Sequence, residues 1–272
     1  MTELPLYAKL ATWAIIASTS LCLLLVPFGM LRQKLTGDIP PVPQFPGSNF
    51  PHTFAYFYTA FFVLTFSLSS ITQIRMPLTR PEPEEMIVSA LFQIALYVPF
   101  LWVYFTLPRR DVPATHLLAK AGWVCAALFI LWFSPIILEI SQFNKWLAES
   151  TNCPLVQDVV ERMLNGSNFE KGLMVFMAVG VAPVTEECCF RGFIYNILKR
   201  WNARWVATLA SAFLFAAVHG SLMQLLPLTI FGIIQCIAYE KARSLWLPIV
   251  IHTLFNACSS LFILLAPHLI PS

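Results

Sequence analysis

Charge is scarce in this sequence. Asp, Glu, Lys and Arg make up 11% of its 272 residues, where a soluble domain carries about 25%. A chain that is 58% hydrophobic with so little charge does not fold as a soluble globule. Nucleotide and zinc-protease signatures are also missing: there is no GxGxxG, no GxxxxGK[ST] and no HExxH. The net charge of +3 is small, and the basic residues sit in short loops between apolar runs. That distribution reflects membrane topology and excludes a nucleic-acid footprint. No two cysteines form a CxxC pair, and six of the seven (Cys22, Cys125, Cys188, Cys189, Cys236, Cys258) fall in apolar segments. They read as small buried apolar residues. No soluble domain and no internal repeat is visible, which argues against a transporter built from two halves.

What remains is a succession of apolar runs long enough to cross a bilayer. Eight spans are expected, at Leu10–Leu31, Thr53–Ile74, Met86–Leu107, Ala121–Ile140, Gly172–Arg200, Trp205–His219, Leu222–Tyr239 and Leu245–Ala266. The first reads as an uncleaved helix rather than a signal peptide. Prolines mark the loops at 32–52 and 75–85 and kinks at Pro99 and Pro135. Between spans four and five, Pro154–Leu164 has apolar residues at helical spacing opposite Asp158, Glu161 and Arg162. It reads as a short amphipathic helix, either interfacial or core-facing. The fold expected is all-α: a polytopic membrane protein forming one integral membrane domain over 1–272, a bundle of about eight helices. Lys and Arg number ten in the odd-numbered inter-span loops and six in the others, a bias that favours both termini outside the cytoplasm.

Against that apolar background, Glu186-Glu187-Cys188-Cys189-Phe190-Arg191 stands out. Each charge placed near mid-bilayer costs about 2.5–3.5 kcal/mol on insertion scales. Glu187 and Arg191 are four apart and can pair on one helix face. Glu186 points about 100° away and has no such partner. A buried salt bridge therefore accounts for two of the three charges only. Two histidines also sit within apolar runs: His219 after Phe213–Val218, and His252 with Asn256 one turn further on. A lone histidine in a span is more often an interhelical hydrogen bond than a catalyst. Here, however, three of the last four spans each carry an unpaired polar group. A carboxylate and an imidazole on one water form a general base. A second imidazole and a carboxamide can donate to an oxyanion. Glu with two His is also a zinc set, although the spacing differs from HExxH and Asn256 is a poor ligand. A cysteine nucleophile, Cys188 or Cys189 beside His219, is a third and weaker option.

Together, Glu186-Glu187…Arg191, Phe215…His219 and His252…Asn256 resemble the EExxxR, FxxxH and HxxxN pattern of the CPBP family. This is the CAAX prenyl protease type II and bacteriocin-processing group of intramembrane proteases. Gly192 and Leu247-Pro248 fit as well, and the resemblance covers about residues 172–260. It implies a glutamate-dependent endopeptidase with no obligatory cofactor or metal. Glu186 and His219 would activate water, and His252 and Asn256 would form the oxyanion hole. Glu187, Arg191 and Phe215 would support them. Cys188-Cys189 departs from the family's usual aliphatic residues. The implied partners are the bilayer and a peptide or prenylated protein substrate, with no nucleic acid. The location would be the cell membrane if the source is prokaryotic.

Overall fold

The computed structural model describes residues 5–36, 135–151 and 158–267, with scattered helical positions between 60 and 98. Spans two and three and most of span four lie outside the described residues, apart from those scattered positions. Every regular element described is helical. They are α1 (Leu6–Thr36), α2 (Pro135–Thr151), α3 (Asp158–Asn165), α4 (Asn168–Trp201), α5 (Arg204–Ala217), α6 (Leu225–Ala242) and α7 (Trp246–Leu265). Helices α1, α4, α6 and α7 are long and apolar enough to cross a membrane. α5 is shorter, 14 residues or about 21 Å.

Several boundaries move from their expected positions. α1, with 31 residues, extends beyond both ends of the expected span. α2 continues to Thr151, past the expected end at Ile140. Polarity ends immersion in lipid but does not end a helix, and Gln142, Lys145 and Glu149 are adequate helix formers. The short amphipathic helix occupies Asp158–Asn165 and packs against α7 and the start of α4, with Met163 buried. α4 starts at Asn168, four residues earlier than expected, because Ser167 and Glu170 form a capping box. The Glu170 carboxylate accepts from Ser167 N–H at 2.6 Å, and Ser167 Oγ accepts from Glu170 N–H at 3.3 Å.

α4 is not uniform. It widens into π turns at Phe176–Val181 and at Cys188–Tyr195, on either side of the regular turns Ala182–Glu187. Gly180 lies in the first π turn and Pro183 just after it. Pro183 offers no N–H and crowds the carbonyl four residues back, and a π turn just before it relieves both problems. At the second π turn the buried Asn196 amide donates to the carbonyls of Arg191 and Gly192, both at 2.9 Å, and reaches Tyr239 Oη at 2.8 Å. The acidic pair thus sits between two places where α4 departs from 3.6 residues per turn.

α5 and α6 approach closely at Gly232. A Cβ on Gly232 would lie 2.9 Å from the Cα and Cβ of Ala212. Only glycine fits there without moving a helix. Gly232→Val is expected to force α5 and α6 apart and cost about 1–3 kcal/mol. Thermal unfolding in detergent would measure this, and an unchanged midpoint would refute the packing argument.

One end of the bundle gathers the basic residues that follow spans five and seven. Lys199 pairs with Glu240, and Arg204 Nε lies 3.6 Å from Glu240 Oε2. The Asn202 amide donates to Leu25 O at 3.1 Å, which brings the C-terminal half of α1 to the same end.

Candidate active site

Two polar groups are built on α4, one from each acid. Glu187 is fully buried, and its Oε1 accepts three hydrogen bonds. Arg191 Nη1 donates at 3.0 Å from one turn along α4. Gln235 Nε2 donates at 3.1 Å from α6, and His252 Nδ1 lies at 2.9 Å on α7. A carboxylate only accepts, so Nδ1 of His252 carries a proton and Nε2 is the ring's remaining functional nitrogen. Arg191 is also fully buried. Its Nη2 donates to Gly232 O at 3.3 Å, and its guanidinium stacks over the Phe215 ring with Cζ 4.6 Å from the centroid.

The second group is Glu186 with His219. α5 ends at Ala217, so His219 lies just beyond the helix, and Gly220 takes a positive φ of 69° to close it. His219 Nδ1 donates to Phe215 O at 2.7 Å, because a carbonyl can only accept. That leaves Nε2 unprotonated when the ring is neutral. Nε2 lies 4.0 Å from Glu186 Oε2, with the side chains 30% and 16% exposed respectively. This distance is too long for a direct hydrogen bond, and Glu186 Oε2 is a buried oxygen with no hydrogen-bond partner among the described residues.

Phe215 sits between the two groups. Its ring meets those of Phe190 at 5.1 Å, His219 at 4.8 Å and His252 at 6.1 Å, all edge-on. Phe231 flanks His252 from α6 at 5.2 Å. Asn256 shares a face with His252, and both side chains reach α4. Asn256, however, joins neither group: its amide donates to Ala178 O, in the first π turn, at 2.7 Å. Among the described residues, no three His, Cys, Asp or Glu side chains converge as a metal-binding group. Cys188 and Cys189 are free and buried.

Three supporting residues escaped the sequence reading. Gln235, a lone amide inside the apolar run Phe231–Ile237, had a signal of its own, as did Asn196. Ser70, from the otherwise generic span two, did not. Its hydroxyl donates to Val218 O at 2.6 Å, satisfying a carbonyl left open at the C-terminus of α5, next to His219. Ser70→Ala is expected to lower stability by about 1 kcal/mol and to loosen the His219 turn. Faster amide hydrogen exchange at 217–220 would show it, and unchanged exchange there would refute it.

Fold and site together define an integral, multi-pass, all-α membrane protein with an ionisable cluster inside its last four helices. Residues 168–258 match the family model described as Type II CAAX prenyl endopeptidase Rce1-like, so the match takes in all three motifs. Among curated proteins, the chain is 27% identical over 173 residues to "Putative membrane peptidase YdiL" of Bacillus subtilis, covering 62% of this chain and 68% of that protein. It is 32% identical over 102 residues to "Membrane-embedded CAAX protease MroQ" of Staphylococcus aureus, covering 35% of this chain and 41% of that one. An uncharacterized 24.3 kDa protein of Escherichia coli is 32% identical over 78 residues, 26% of this chain and 36% of its own length. The chain thus spans about two-thirds of the first relative and less than half of the other two. No solved structure matches it significantly.

Proposed function

We propose that this chain is a membrane-embedded endopeptidase in which Glu186 and His219 activate the attacking water. The observation that carries this reading is the Glu186–His219 pair. Two acceptors lie 4.0 Å apart, the Glu186 oxygen is buried and without a partner among the described residues, and the histidine is held by Phe215 O in the tautomer that leaves Nε2 free. Water held there gives a proton to Glu186 as its oxygen bonds to the scissile carbonyl carbon. The same carboxyl then protonates the departing amine nitrogen as the C–N bond breaks. His252, backed by Glu187, and the second N–H of Asn256 stabilise the oxyanion. His252 donates through Nε2 when it carries both protons. Glu187 and Arg191 hold the frame.

The family match and the name of the Staphylococcus aureus relative support a prenylated CAAX C-terminus as the substrate class. Such a substrate suits a site at bilayer depth, because a prenyl chain partitions into lipid at about 0.8 kcal/mol per buried CH₂. The test is hydrolysis of a farnesylated CAAX peptide by purified protein, with and without a strong chelator and with elemental analysis. Release of the C-terminal tripeptide that is insensitive to chelator, by protein free of zinc, is expected. Chelator-sensitive cleavage would instead assign the same residues to a zinc site.

One observation favours a second reading. Glu187, Arg191, Gln235 and His252 form a buried network that joins three helices, as a non-catalytic scaffold or immunity protein would need. In that case wild-type protein cleaves no peptide, and cellular function follows protein abundance across the variants.

A further inference from the structure

Gln235 belongs to none of the three motifs and is fully buried in α6. Its Nε2 spends both N–H groups on specific acceptors, Glu187 Oε1 at 3.1 Å and Pro248 O at 2.9 Å. Both acceptors bear on His252. Glu187 Oε1 is the atom that His252 Nδ1 contacts at 2.9 Å. Pro248 lies one turn before His252 on α7. The amide therefore grips the carboxylate that holds the ring and the backbone that carries it. An amide is suited to this, since it supplies two donors and adds no charge beside the Glu187–Arg191 pair. Two acceptors on one nitrogen also fix which way the amide faces.

We propose that Gln235 is a positioning residue for His252. It holds Glu187 and the first turn of α7 in register, so that His252 keeps Nδ1 on the carboxylate and Nε2 available to substrate. A residue that only tied α6 to α7 would be replaceable by any well-packed side chain of the same volume. A positioning residue is not, because without the amide the ring and its carboxylate can move independently. Errors of about 1 Å in such a group cost about 100-fold in rate.

The kinetic part of this inference rests on the peptidase reading, and the histidine part does not. Full-length protein labelled with ¹⁵N-histidine in detergent gives signals that separate the two neutral tautomers, and His252→Ala identifies the His252 signal. Wild type is expected to show His252 as a single species with a proton held on Nδ1, with or without a second proton on Nε2. Gln235→Met, similar in volume and without donors, is expected to show exchange between tautomers, with a thermal midpoint close to that of wild type. On a farnesylated CAAX peptide its kcat is expected to fall about 100-fold, with KM within about twofold. A Gln235→Met protein with the wild-type His252 signal overturns the proposal, whatever its rate, because any loss would not then pass through His252. A disturbed signal with an unchanged kcat overturns it too. If wild type cleaves nothing, the peptidase reading fails and the His252 signal alone decides the role of Gln235. If Gln235→Met does not fold, Gln235→Asn takes its place, since its amide is one methylene too short to reach both acceptors.

Discussion

Glu187→Ala is expected to destabilise the protein by about 3–5 kcal/mol, the usual result of removing one partner from a buried ion pair. Arg191 would remain at 0% exposure as an uncompensated cation, and the donors on Gln235 and His252 would lose their shared acceptor. Domains are stable by only about 5–15 kcal/mol, so low yield and a much lower thermal midpoint in detergent should follow. The double variant Glu187→Ala with Arg191→Leu separates the pair's net contribution from the damage of breaking it. Replacing both charges by apolar groups is often close to neutral, so the double variant should be more stable than Glu187→Ala alone. A single variant within about 1 kcal/mol of wild type would contradict the account of the network.

Glu186→Gln should behave in the opposite way. Among the described residues its carboxylate pairs with no Lys or Arg, and it lies 4.0 Å from His219. The glutamine keeps the shape and loses the base. The expected result is a loss of about 10²–10⁴ in kcat, with a stability within about 0.5 kcal/mol of wild type, since the substitution disturbs no buried ion pair. His219→Ala should lose activity similarly. Adjacent glutamates with opposite profiles, one needed for folding and the other for turnover, are a sharper expectation than either result alone. Retention of full turnover by Glu186→Gln would remove the water-activating role.

The division between the two acids was legible in the sequence because it depends on helical spacing. Glu187 faces Arg191 four residues on, and Glu186 turns away. The pairing at 3.0 Å survives even though α4 contains two π turns. Those turns were not legible: Pro183 announced a disturbance, but the way the backbone absorbs it depends on neighbours that a sequence window does not contain. Asn256 shows a similar limit. Spacing placed it on the face of His252, while its reach to Ala178 O depends on the first π turn, which displaces that part of α4. Gln235 was visible as a lone amide among apolar residues. Its importance comes from meeting Glu187 and Pro248 at once, 48 and 13 residues away along the chain. Ser70, 148 residues from Val218, is a serine like many others in a span until the helices are assembled.

The most direct test of the central claim compares purified wild type with Glu186→Gln on a farnesylated CAAX peptide, with thermal unfolding of each followed in parallel. The account predicts tripeptide release by wild type, none detectable from Glu186→Gln, and matching unfolding midpoints. Equal cleavage by the two proteins would contradict it, as would wild-type protein that is folded and cleaves nothing.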